Sequence, residues 1–366
     1  MVNKRRTSVE LLRIIAMILI IAHHFSVHGG FEYSSTSFSF NELWIQLISM
    51  GGKIGVNIFV LISGYYMSES DKSPVKRVIK LWLQVVFYSI LIFFIFSLLK
   101  IQPFTVKELI KHCMPIIFSQ WWFVTNYVVL CILSPYINVL IKSLTVRQYR
   151  EMVVLCTVIW SIVPAITNMY LGCTSLVWFI YLYILAAYIR KNIMKISSKI
   201  AAFYACVTLA ILVVTTIIFD IISIKKPKLY EQATRLYGME MFPVLVISVG
   251  LFLVVLNLDM KNNKYINVIS STTFGIYLIH DDVWVKEWLW GTVIHQVSYA
   301  YSYYLVVYSV GSIMLVFAIC MIIDLVRKAL LQRIEAVLCD WITTSVNRLI
   351  NRFQFIMISE NEDIRD

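Results

Sequence analysis

The chain has 366 residues, of which 60% are hydrophobic and only 14% charged, with a mean hydropathy of +0.78 and a net charge of +11. A soluble domain of this size cannot solvate such a surface, and repeated apolar runs of about 20 residues place the chain among all-α polytopic membrane proteins. The positive excess then reads as cytoplasmic loop charge facing anionic lipid, and no nucleic-acid partner is expected.

Ten spans are predicted, near 9–28, 43–67, 78–99, 121–141, 151–169, 173–190, 200–222, 239–258, 269–290 and 301–325. Lys4, Arg5 and Arg6 precede the first span, which has no small-residue cleavage site and reads as a retained helix. With the N-terminus inside, about 22 of the 32 Lys and Arg residues fall on the inner side and about seven on the outer side. Both termini are therefore expected in the cytoplasm. Residues 1–325 form the predicted transmembrane domain. Residues 326–366 form a predicted cytoplasmic tail, in which apolar residues at helical spacing from Leu330 to Phe353 suit an amphipathic helix on inner-leaflet lipid.

The first span carries Glu10, Arg13, His23 and His24. An Arg at mid-bilayer costs about 2.5–3.5 kcal/mol on the insertion scale, so an anchor alone would not keep one. The step from Arg13 to His24 is about three turns plus 20°, so both point the same way, about 16 Å apart along the axis. Glu10 and Arg13 are spaced to pair. His28 lies one turn beyond His24 on the same face, whereas His23 is rotated by about 100°. Imidazole is the side chain best suited to move a proton near neutral pH. Placement at the membrane interface accounts for His28 and partly for His23, but less well for His24.

In the second span, Gly51, Gly52, Gly55 and Gly64 allow close helix approach. Lys53 shares a face with Asn57 and should meet a cavity or an acidic partner. Lys72, Lys76, Arg77 and Lys80 follow, either as ordinary inner-side charge or as a phosphate-binding rim. Residues 100–120 can form a short interfacial helix. Residues 223–238, with Lys225, Lys226, Lys228, Arg235, Tyr230 and Tyr237, suit a solvated loop or a contact with an anionic sugar. Trp121 and Trp122 sit at the outer edge of the fourth span, suited to an aromatic belt or to stacking on a sugar ring. The ninth span carries His280, Asp281, Asp282 and Lys286, which allow an Asp281–His280 contact and an Asp282–Lys286 pair within one helix. Such a polar interior serves an enzyme or a proton-coupled transporter equally. The seven cysteines are scattered without metal-ligand spacing, and no metal site is expected.

The run SVELLRIIAMILIIAHHF, with ten residues between Arg13 and His24, resembles the N-terminal signature of the acyltransferase-3 family of membrane O-acyltransferases. GGKIGVNIFVLISGYYM at 51–67 is similar to a second block of that family, with Ile58 at one Phe position. Lys76-Arg77-Val78-Ile79-Lys80 stands where the family usually has an Arg-x-x-Arg pair; here both outer members are Lys, which bind phosphate less bidentately. WWFVTNYVVLCILSPYI at 121–137 and STTFGIYLIHD at 271–281 resemble later landmarks. The resemblance implies transfer of an acyl group, usually acetyl, from cytoplasmic acyl-CoA to a hydroxyl of a cell-surface polysaccharide or lipid-linked saccharide, in a bacterial plasma membrane. It implies that His24 is the essential histidine and Arg13 its partner. Lys76, Arg77 and Lys80 would face acetyl-CoA, and Lys53, Trp121, Trp122 and His280 the acceptor. The contrasting expectation is a transporter with a buried His/Lys relay, for which inverted repeats are expected; none is evident.

Overall fold

The structure, a computed structural model, describes residues 6–33, 37–70, 74–192 and 197–363, with side chains to 352, and no strand occurs among them. Lys4, Arg5, Lys72 and the side chain of Phe353 lie outside the described residues. The helices are α1 Thr7–Val27, α2 Phe40–Met67, α3 Pro74–Leu98, α4 Val106–Cys113, α5 Trp122–Ser143, α6 Val146–Thr157, α7 Val163–Thr167, α8 Ser175–Asn192, α9 Ser198–Ser223, α10 Phe242–Leu256, α11 Lys264–Ser271, α12 Thr273–His280, α13 Val283–Trp288 and α14 Leu305–Asp363. A π-helical segment, Val158–Ile162, joins α6 to α7 beside Pro164, which has no N–H to give the ladder. Eight segments are long and apolar enough to cross a membrane: α1, α2, α3, α5, the joined α6–α7, α9, Pro227–Leu256 and α14. Side-chain caps set several starts. Thr145 and Gln148 form a reciprocal capping box on α6, and Thr105 caps α4, the short helix expected in the loop at 100–120.

Two predicted spans differ from a simple apolar rod. The ninth, 269–290, is three short helices. Hydroxyls of Ser271, Thr272 and Thr273 bond back to carbonyls three residues earlier at the first break. At the second, Asp282 accepts from the backbone N–H groups of Trp284 (2.9 Å) and Val285 (3.3 Å), starting α13. The expectation of one continuous helix is thereby corrected: Asp282 caps a new helix, while Lys286 still acts on its carboxylate electrostatically. The last predicted span and the amphipathic tail helix form one helix, α14, because no Gly or Pro follows Gly311 to stop it.

The chain divides into two compact units, Met1–Glu69 with Ile137–Asp324 and Ser70–Tyr136 with Leu325–Asp366. In the first, α1 lies tightly on α2. A Cβ at Gly55 would stand 2.5 Å from the Ala16 carbonyl oxygen, and one at Gly52 would stand 2.4 Å from His23 Cβ. Gly55→Ala is therefore expected to destabilise the protein by about 1–3 kcal/mol, because the obstacle is backbone. Gly311→Ala, where a Cβ meets nothing within 4 Å, should be neutral or mildly stabilising. Thermal unfolding in detergent compares them; a Gly55→Ala protein as stable as wild type would overturn this packing argument. Asn57 ties α2 to its neighbours, accepting from Trp178 Nε1 (2.9 Å) and donating to the Met239 carbonyl (2.8 Å).

The second unit has its own buried polar centre. The Ser89 hydroxyl donates to Gln120 Oε1 (2.9 Å) and accepts from His112 Nδ1 (3.0 Å). Burial holds the His112 imidazole below its ordinary pKa. Because Ser89 receives the ring's proton, this is not a nucleophile–base pair. Arg327 is buried against Glu335 and over the Tyr88 ring.

Candidate active site

A parallel helix alignment builds the site. The Asn263 backbone N–H donates to Thr7 Oγ1 at one end of α1, Ser270 Oγ donates to Glu10, and His280 meets His24 near the other end. The chain from α11 to α12 thus runs beside α1 in the same direction. Glu10 is buried, and its Oε2 stands 3.5 Å from Arg13, which is one-third exposed. The expected Glu10–Arg13 pair forms, with Ser270 as a further donor.

At the far end, His24, His280 and Asp281 are all buried. His280 Nδ1 lies 2.6 Å from the Ile276 carbonyl oxygen, which can only accept, so that nitrogen carries the proton. With both rings neutral, His280 Nε2 is then an acceptor, and His24 Nδ1, 3.0 Å away, donates to it. One consequence follows: His24 Nε2 is left with its lone pair. It points toward Asp281 Oδ1 at 3.6 Å, longer than a hydrogen bond but short enough for an ion pair once the ring gains a second proton. His28, exposed at the end of α1, stacks obliquely on His24 with ring centroids 5.2 Å apart.

The expected Asp281–His280 contact is corrected, since Asp281 faces His24. His280 is the last residue of α12. His23 is bonded through Nδ1 to the Ser49 carbonyl of α2, and its ring lies beside that of His24 with centroids 5.6 Å apart. Lys53 is half-buried, close enough to Glu240 and His23 to interact electrostatically. Tyr237 meets the Thr216 hydroxyl at 2.5 Å and Tyr230 bonds to Glu42, so the tyrosines of the 223–238 loop fasten it to the protein rather than present their hydroxyls outward. A polar pocket at the N-terminal end of α1 is lined by Arg6, Thr7, Ser8, Asn257, Asp259 and Asn262.

The remaining candidates lie in the second unit. Lys76 is exposed and paired with Asp340 at 2.5 Å, Arg77 is half-buried and bonded to the Cys131 thiol, and Lys80 is exposed. Trp121 is only 1% exposed, so its ring faces are used in packing, and its expected place as an interfacial ring is corrected. Trp122 is half-buried and packs edge-on against Phe123.

A family model described as an acyltransferase domain matches residues 6–325. No curated protein matches the chain. No solved structure matches it either.

Proposed function

The chain belongs to the acyltransferase-3 family, and from that premise we propose that it is a cell-membrane O-acetyltransferase, moving acetyl from acetyl-CoA to a hydroxyl of a cell-surface polysaccharide or its lipid-linked precursor. The observation that carries this reading is the His24–His280–Ile276 hydrogen-bond chain, which, with both rings neutral, leaves the lone pair on His24 Nε2. A sugar hydroxyl is a weak nucleophile, and it gains strength when a positioned base removes its proton as it attacks. In the proposed step His24 Nε2 takes that proton while the hydroxyl oxygen bonds to the thioester carbonyl carbon. Asp281 stabilises the imidazolium so formed. The tetrahedral adduct then collapses, the carbon–sulfur bond breaks, and the departing thiolate takes the proton from His24.

Donor and acceptor approach from opposite sides in this reading. The pocket at Arg6, Thr7 and Ser8 joins the start of a helix to a cation, a setting that suits phosphate bound on the side away from Asp259. Arg13, between that pocket and His24 along α1, would hold the extended pantetheine arm in this reading.

Purified protein in lipid vesicles, given acetyl-labelled acetyl-CoA and membrane polysaccharide, is expected to label the polysaccharide with ester-linked acetyl that mild base releases. Folded protein that leaves the polysaccharide unlabelled, with acceptor in excess, would sink this reading. Uptake of the saccharide without label would instead favour transport.

A further inference from the structure

His24, His28 and Asp281 each offer a ligating atom, and the three atoms lie within 4.8 Å of one another. We propose that these residues form a site for a divalent transition-metal ion of the zinc type, and that an ion bound there halts acyl transfer. The second half rests on the base role given to His24; the first does not.

The donor set is two imidazole nitrogens and a carboxylate oxygen, the three-ligand arrangement that leaves zinc an open position. The 3.6 Å between His24 Nε2 and Asp281 Oδ1 is close to the separation of about 3.4 Å between two tetrahedral ligands at about 2.1 Å. Only a modest closing motion of His28 is required, and His28 is the exposed member, at the end of its helix. The hydrogen-bond chain has already chosen the ligating nitrogen. His24 Nδ1–H is held by His280, the outer-shell support that metal-bound histidines generally have, so Nε2 faces the site unprotonated.

A second feature points to a cation at the same place. Asp282, fully buried beside Asp281, keeps Oδ2 without a hydrogen-bond partner. Lys286 acts electrostatically on both carboxylates, and on His24 and His28 as well. The Lys286 ammonium opposes a second cation here, so it is the unpartnered Asp282 oxygen beside Asp281 that favours one. An ion on His24 Nε2 occupies the lone pair that must accept the hydroxyl proton. Binding and catalysis are then mutually exclusive.

The test uses the full-length protein in detergent, titrated with Co2+ after chelator treatment. Wild type should develop the visible d–d bands of a tetrahedral or five-coordinate site, and Zn2+ should abolish them. His28→Ala and Asp281→Asn should each weaken Co2+ binding by at least about tenfold, the lower end of what even an outer-shell partner costs. His28→Ala alters an exposed helix end, and its unfolding temperature shows whether it is folded. No such bands in wild type, or bands unchanged in both variants, would overturn the site. The transfer assay reads the second claim separately. Zn2+ should inhibit wild type reversibly, with EDTA restoring the rate, and should inhibit His28→Ala far less relative to that variant's own metal-free rate. Transfer that is insensitive to bound Zn2+, or that requires it, overturns the inhibitory claim while leaving the site. Metal binding in a protein with no transfer under any condition supports the site and refutes the proposed reaction.

Discussion

Replacing His24 by Gln is expected to lower the rate of acetyl transfer by about 100- to 10,000-fold, the range that a general base supplies. Gln keeps an N–H able to reach His280 Nε2, so the helix contact between α1 and α12 can persist while the basic lone pair is lost. The KM for acetyl-CoA should change little, because His24 meets the donor only at the thiolate that departs during the reaction. A His24→Gln protein that transfers acetyl within a few-fold of wild type would remove this residue from the chemistry. The same experiment separates two origins of a dead enzyme. If His24→Gln unfolds at the wild-type temperature yet is inactive, the deficit is chemical; if its unfolding temperature collapses, the buried contact was the main casualty. His24→Ala offers less discrimination, since it also opens a cavity in a buried cluster.

The Arg13–His24 spacing and the Glu10–Arg13 pair were legible in the sequence because they rest on local helical geometry. So were the helix ends fixed by apolar length. The start of α6 was legible in principle: Thr145 and Gln148 have the spacing of a capping box, a signal outweighed by the apolar run that begins later. The break at Asp282 shows a competition between two local rules. Asp282 and Lys286 have the spacing of a helical pair, yet an Asp ahead of an apolar turn also makes a good N-cap, and the cap satisfies two backbone donors at once. The His24–His280 contact had no such signal. It joins residues 256 positions apart, and depends on α11 and α12 running beside α1 in register. The burial of Trp121 was equally opaque, since a tryptophan at a span's edge has the same local sequence whether it faces lipid or packing partners.

That long-range contact carries the second large effect. His280→Leu should reduce the turnover rate by about 100-fold or more, although Leu fills a similar volume and touches no substrate in the proposed step. The effect acts through the proton on His24. Without an acceptor at His280, the His24 Nδ1–H is buried unsatisfied, at a cost of about 1–3 kcal/mol. The ring can relieve this by turning or by moving its proton to Nε2, and either change removes the lone pair from the reaction. In the serine-protease triad, loss of the correct histidine tautomer costs about 10,000-fold, which sets the scale. His280→Gln separates positioning from packing. Its amide oxygen can accept from His24 while its amide nitrogen donates toward the Ile276 carbonyl, reproducing both bonds of the imidazole. Turnover should therefore recover substantially in His280→Gln but not in His280→Leu, with the KM for acetyl-CoA nearly constant across the series. Equal activity in the two variants would mean that the hydrogen-bond chain does not set the state of His24. A change confined to KM would place His280 on the binding path, as a contact to one of the substrates rather than to the base.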